Sequence, residues 1–222
     1  MDTAARLLLV RHGETLWNAE GRMQGHLDSG LTPRGRAQAR ALAARIRELG
    51  PVAVYSSDLG RAVQTADVIA TECGLAPILD ANLRERHLGI FEGLTKAEVS
   101  DRYPEIWQAY KVGGPDFVIP KGESARQRHQ RTLAALVAHA ERHVGSCVVV
   151  VGHGGTLNTA FRVCTGVPLE APRTFALPNA SLSILEYLAH CWVLRLWGDI
   201  EHLGPEEAAD DVDSPRSRKV TR

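Results

Sequence analysis

The stretch Leu7-Leu8-Leu9-Val10-Arg11-His12-Gly13-Glu14-Thr15 decides how the rest of the chain is read. Its aliphatic run has the character of a short buried strand, and it ends abruptly in a cation, an imidazole and a glycine. Ligands in open α/β sheets bind at the carboxyl ends of strands. Taken alone, Arg11 and His12 suit either the polar edge of a strand or one half of a site.

A later stretch repeats the design. Cys147-Val148-Val149-Val150-Val151 is the most strand-like run in the chain, and it ends in Gly152-His153-Gly154-Gly155, with a helix expected from Thr156 to about Cys164. Continuous apolar runs alternating with helices argue for a largely parallel sheet. Parallel strands share one carboxyl edge, so His12 and His153 are expected to converge there.

Between these runs, residues 15–30 are a loop by composition, anchored by Trp17 and carrying Asn18, Arg22 and Gln24 as polar groups to aim at a ligand. Thr32-Pro33 opens a helix that Gly50-Pro51 stops. After a strand at Val52-Ala53-Val54-Tyr55-Ser56, Ser57 and Asp58 are expected to cap a helix beginning Leu59-Gly60-Arg61. An arginine in a first turn opposes the macrodipole, but suits an anion docked beside the free N–H groups; a solvated surface arginine is the alternative. Pro77-Ile78-Leu79 is a short strand. Glu85, flanked by Arg84 and Arg86, is either an ion-pair partner or the proton donor of a site. Short helices follow over 95–101 and 104–110, then a Gly/Pro-rich loop over 112–122 and an amphipathic helix over 123–143. On that helix His129, His139 and His143 are expected to face solvent, because no carboxylate or thiol accompanies them at metal-ligand spacing. Residues 181–188 and 191–197 read as a closing hairpin. The expected organisation is one domain over 1–203 and a disordered tail over 204–222, which is almost free of apolar residues.

Bulk properties narrow the function. Twenty-six basic residues balance 26 acidic ones in 222, so no overall field favours nucleic acid or an anionic membrane, and anion recognition must be local. Four cysteines without a CxxC pair argue against a zinc site or a disulfide framework, and for reduced, mostly buried thiols in the cytoplasm. The start Met1-Asp2-Thr3-Ala4-Ala5 lacks the basic region of a signal peptide, and no run is long enough to span a membrane.

The expected edge collects Arg11, His12, Arg61 and His153 with helix N-termini beneath, a set suited to a tetrahedral dianion such as phosphate. An unprotonated His12 ring can attack phosphorus and give a phosphohistidine, while the arginines take up charge on the equatorial oxygens. Glu85 is the best placed group to protonate a leaving alkoxide. Neither a metal nor a cofactor is required, since arginine and histidine already carry the positive charge.

With these residues in place, the chain resembles the histidine phosphatase superfamily, the phosphoglycerate mutase-like family, over about residues 6–200. The resemblance rests on Leu9-Val10-Arg11-His12-Gly13-Glu14-Thr15 followed by Trp17-Asn18. It is reinforced by Ser56-Ser57-Asp58-Leu59-Gly60-Arg61-Ala62-Val63-Gln64-Thr65-Ala66, by Leu83-Arg84-Glu85-Arg86 and by Gly152-His153-Gly154-Gly155, in that order. It implies an α/β fold, a three-layer α/β/α sandwich around a mostly parallel mixed sheet. It implies His12 as the phosphorylated nucleophile, Arg11, Arg61 and His153 as the phosphate pocket with Gly154, and Glu85 as proton donor and acceptor. Asn18, Gln24 and Gly25 resemble loop positions on the substrate or phosphate side.

The family divides into phosphatases, in which water attacks the phosphohistidine, and mutases, which return the phosphoryl group to a sugar acid. Glu85-Arg86-His87 with Gly93-Leu94-Thr95-Lys96 resembles the mutase form. The arginine pair with which cofactor-dependent mutases grip a carboxylate is missing, as residues 102–122 supply only Arg102, Lys111 and Lys121. Pro120-Lys121-Gly122-Glu123-Ser124 resembles the phosphatase branch, which is the reading favoured here, acting on a small phosphorylated metabolite. A non-catalytic phospholigand-binding module is the third reading, against which stand His12, Glu85 and His153. Specificity is expected from residues 86–122, where Phe91, Trp107, Tyr110 and Phe117 serve as pocket wall or as core. The oligomeric state, a homodimer included, stays open.

Overall fold

The computed structural model describes residues 4–208. Its elements run β1 (Ala5–Arg11), α1 (Leu16–Ala19), α2 (Pro33–Glu48), β2 (Ala53–Ser56), α3 (Gly60–Glu72), β3 (Pro77–Leu79), α4 (Lys96–Arg102), α5 (Pro104–Val112), α6 (Ala125–Arg142), β4 (Cys147–Gly152), α7 (Gly154–Thr165), β5 (Leu182–Leu188) and β6 (Cys191–Asp199). The six strands form one mixed sheet in the order β3-β2-β4-β1-β5-β6. β3, β2, β4 and β1 are parallel, and β5 and β6 add an antiparallel edge.

Both aliphatic runs are central because they are apolar on both faces. Leu7, Leu9, Val148 and Val150 pack against Ala135, Leu136 and Ala140 of α6 and Ala160 of α7. On the other face Leu8, Val10, Val149 and Val151 meet Leu42, Ala43 and Ile46 of α2 and Ala62, Ala66 and Ile69 of α3. Helices therefore cover both faces, giving the three-layer α/β/α arrangement. A satellite core of Phe91, Val99 and Ile119 supports α4 and α5. Trp107, Tyr110 and Phe117 pack onto it, so of the four aromatics in this region only Tyr110 reaches the cleft described below.

Local chemistry accounts for where the chain departs from expectation. The stretch 15–30 contains the one-turn helix α1, because Thr15 and Asn18 form a reciprocal capping box. α3 begins at Gly60 with Leu59 at its N-cap position and no side-chain cap, so Ser57 and Asp58 do not have the expected role. His139 is buried rather than solvent-facing: it stacks on Tyr55 with ring centroids 3.8 Å apart and lies 3.0 Å from Asp80. The thiols are also less buried than expected, with Cys191 exposed and Cys73, Cys147 and Cys164 half-buried. Of the tail, residues 204–208 are turned back on the domain, where Arg34 and Gln38 donate to the Glu207 carbonyl. Positions 209–222, and Met1-Asp2-Thr3 at the start, lie outside the described residues. Among the described residues no helix is long and apolar enough to cross a membrane.

Candidate active site

The pairing of β1 with β4 sets the site. Arg11 lies in register with Gly152, and the ladder continues one step as the His12 amide donates to the Gly152 carbonyl at 3.0 Å. The two imidazoles that follow their strands are thereby side by side, with ring centroids 5.2 Å apart and each at most 3% exposed.

Hydrogen bonds orient each ring. His12 Nδ1 is 2.8 Å from the Gly13 carbonyl, which can only accept, so this nitrogen carries the proton and Nε2 keeps a lone pair. His153 Nε2 is 2.8 Å from Ser57 Oγ, and that oxygen already accepts from the Leu59 amide at 3.3 Å. The Ser57 hydroxyl thus holds the ring through Nε2, and Nδ1 is a buried atom with no hydrogen-bond partner among the described residues. Burial, then Arg61 and then Arg11 hold the His12 pKa well below the usual imidazole value. Burial, followed by Arg61, His12 and Arg11, does the same for His153. Both rings are neutral at pH 7.

Arg61 is the largest fully buried side chain, 1% exposed. Nη1 donates to Asp28 at 2.9 Å and to the Leu27 carbonyl at 3.0 Å, and Nη2 donates to the Gly25 carbonyl at 2.8 Å. Asp28 also accepts from the Arg61 amide, so the anion at the start of α3 is a carboxylate of the chain itself. Burial lowers the Arg61 pKa and Asp28 opposes this. Nε has no partner among the described residues. Gly25 has to be glycine: φ is +56°, and a Cβ would lie 2.1 Å from Glu92 Oε1. Arg11 donates through Nη1 to the Leu177 carbonyl.

Of the two roles left open for Glu85, the ion pair is not made with any described residue. Its Oε1 accepts from the Arg86 amide at 2.7 Å and its Oε2 from the Gly155 amide at 2.9 Å. It is thus pinned at the N-terminus of α7, just past His153.

A cleft of about 590 Å³ opens over these groups. Arg11, His12, Asn18, Gln24, Gly25, Arg61, Glu85 and Gly154 border it, and His153 lies against His12. Among the described residues no group of three or more His, Cys, Asp or Glu side chains is arranged to hold a metal ion.

A family model, the histidine phosphatase superfamily (branch 1), matches residues 7–200. The chain belongs to this superfamily. It is 42% identical over 204 residues to a protein of Klebsiella pneumoniae (strain 342) named probable phosphoglycerate mutase GpmB, an overlap of 89% of this chain and 94% of that one. The solved structure of Bacillus stearothermophilus YhfR superposes with a TM-score of 0.82 at 35% identity, covering 90% of this chain and 99% of that one. A mycobacterial glucosyl-3-phosphoglycerate phosphatase superposes at 0.76 with 32% identity, over 89% and 100% of the two chains.

The site also includes residues to which the sequence alone assigned no role in it. Ser57 holds the His153 ring through Nε2. Asn179, just before β5, donates to the His12 carbonyl at 2.9 Å and reaches Asn18 Oδ1 at 3.4 Å. Thr15 ties the loop residues together, since its hydroxyl lies 3.0 Å from Asn18 Oδ1 and 3.1 Å from Gln24 Oε1. Arg86 and Arg128 border the cleft from the chain beyond Glu85. Arg84, Arg86 and Glu123 were visible as charges, but only the fold tells which of them border the cleft.

Proposed function

We propose that this chain is a phosphomonoesterase that works through a phosphohistidine on His12. One observation carries the reading: a neutral imidazole with its Nε2 lone pair available lies beside a second ring whose Nδ1 has no hydrogen-bond partner among the described residues, with the charge of a buried Arg61 acting on both and a carboxylate pinned next to them. Buried polar groups without partners are costly unless a ligand satisfies them; Arg61 Nε suits a phosphoryl oxygen, as does His153 Nδ1 when it carries the ring proton.

In the first step His12 Nε2 attacks phosphorus, the N–P bond forms, and the ester P–O bond breaks as Glu85 gives its proton to the departing alkoxide. Arg11, Arg61 and His153 take up the charge that develops on the equatorial oxygens. In the second step water attacks phosphorus, gives a proton to Glu85, and the N–P bond breaks to release phosphate and restore both groups. No step needs a metal or cofactor, and the substrate is a small phosphorylated metabolite.

The name of the Klebsiella pneumoniae relative favours a second reading, return of the phosphoryl group to a phosphoglycerate. Against it, α5 and the loop to α6 bring no arginine pair to the cleft; from residues 102–122 only Tyr110 borders it. The test compares phosphate release from a panel of phosphomonoesters with conversion of 3- to 2-phosphoglycerate, with and without 2,3-bisphosphoglycerate. Phosphate release exceeding isomerisation under both conditions is expected. Isomerisation that outpaces release when the bisphosphate is present would refute the phosphatase reading.

A further inference from the structure

Four arginines surround the base of α6, and three of them have their charge or donors engaged by the protein. Arg126 pairs with Asp116 and Glu170, and Arg131 pairs with Glu123. Arg86 donates to the Glu123 and Phe117 carbonyls. Arg128 differs. It is 4% exposed, has no carboxylate within ion-pair reach among the described residues, and donates only through Nη1, to the Gly155 carbonyl and the Thr159 hydroxyl. Those two contacts tie α6 to α7 and account for one corner of the guanidinium. The opposite edge, Nε and Nη2, makes no hydrogen bond to any described residue, and the side chain borders the cleft.

Burial pushes the Arg128 pKa down to about 10, against the charges of Glu85 and Glu123. Glu85 relieves that burial only in part and makes no hydrogen bond to Arg128. Its oxygens are taken by the Arg86 and Gly155 amides, although both side chains press on the same glycine: a Cβ on Gly155 would lie 2.2 Å from Glu85 Oε1 and 3.1 Å from Arg128 Nε. The uncommitted edge is thus held beside the group that protonates the leaving alkoxide, on the substrate's side of the site. An Nε–Nη2 edge presents two parallel N–H donors, the geometry that a planar carboxylate accepts with both oxygens.

We infer that Arg128 is a specificity-determining residue: the cleft takes phosphomonoesters whose leaving alcohol carries a carboxylate, and the Nε–Nη2 edge of Arg128 grips it. This rests on the phosphomonoesterase reading above and narrows its substrate class.

The test measures kcat/KM of the full chain for 3-phosphoglycerate and for glycerol 3-phosphate, which differ by a carboxylate in place of a hydroxymethyl group. A charge-assisted bidentate contact favours the carboxylate by roughly ten- to a hundredfold. Arg128→Met should bring that ratio near one, and Arg128→Lys should restore only part of it, because an ammonium has no fork. A measurement on the unaltered protein guards against misfolded variants: 3-phosphonopropionate should inhibit p-nitrophenyl phosphate hydrolysis about tenfold or more better than propylphosphonate. A ratio near one in the unaltered protein, or one that survives Arg128→Met in a folded variant, overturns the assignment. So does a larger gain from 1,3-propanediol bisphosphate than from the carboxylate. Failure to hydrolyse any phosphomonoester, p-nitrophenyl phosphate included, would instead overturn the phosphatase reading beneath it.

Discussion

Gly155→Ala is the most exacting perturbation of the site, because one methyl group lands where two functional side chains meet. The added Cβ would lie 2.2 Å from Glu85 Oε1 and 3.1 Å from Arg128 Cδ and Nε. Ordinary van der Waals contact begins at 3.4 Å, so the carboxylate has to retreat by about 1 Å, against the 2.9 Å bond that fixes Oε2 to the Gly155 amide. A misplacement of this size costs on the order of 10²-fold in rate, within the roughly 10²–10⁴-fold that a general acid supplies. The fold itself should hold, since alanine is the better helix former by up to about 1 kcal/mol. The assay is kcat on glycerol 3-phosphate, a poor leaving group, beside p-nitrophenyl phosphate, whose leaving group needs little protonation. About a hundredfold loss on the first and less than tenfold on the second is expected, with an unfolding midpoint near that of the parent. Equal losses on both, or none on either, would remove Glu85 from the proton-transfer role.

Three further outcomes follow from the same geometry. Asp28→Asn leaves the buried Arg61 charge with carbonyl partners only; because Asp28 is 31% exposed the loss should be about 1–3 kcal/mol, below that of a fully buried pair, as read by denaturant unfolding. Ser57→Ala removes the hydroxyl that holds the His153 ring through Nε2 and should lower kcat by about ten- to a hundredfold with little change in stability, measured on p-nitrophenyl phosphate. His12 and His153 have pKa values well below 6.5 when folded, so the unfolded chain binds more protons in acid. Their contribution to stability is fully present above about pH 6.5 and is lost as pH falls through that value towards the folded pKa, by up to about 1.4 kcal/mol per pH unit for each ring. Urea titrations at pH 7 and pH 5 should show stability falling towards acid, and falling less steeply in His153→Ala.

The parts legible in the sequence were those set by local pattern. Two unbroken aliphatic runs had to be central parallel strands, and each ended in an imidazole, so the meeting of His12 and His153 followed from topology alone. Arg61 was conspicuous because it stood against a helix dipole. Its counter-ion was not, since Asp28 lies in a loop 33 positions away and only tertiary folding brings it to that helix end. Ser57 has the look of a cap because serine before a helix usually is one; its hydroxyl accepts from the Leu59 amide, just outside the helix, and also reaches across to the residue after β4. Asn179 sits at an unremarkable turn. Arg128 lay in a helix rich in arginine, where spacing alone does not tell a solvated guanidinium from a buried one. His139 was read as exposed because its partners, Tyr55 and Asp80, lie on the neighbouring strand and the turn after β3.

The central claim is that the phosphoryl group passes through His12, and the direct measurement is to trap it. The protein is mixed briefly with a phosphomonoester, quenched in alkaline denaturant and examined by phosphorus NMR and peptide mapping. An acid-labile, alkali-stable phosphoryl group on His12, absent from His12→Ala, is the predicted result. Equal labelling of His12→Ala, or a phosphoryl group found on another residue, would contradict the account.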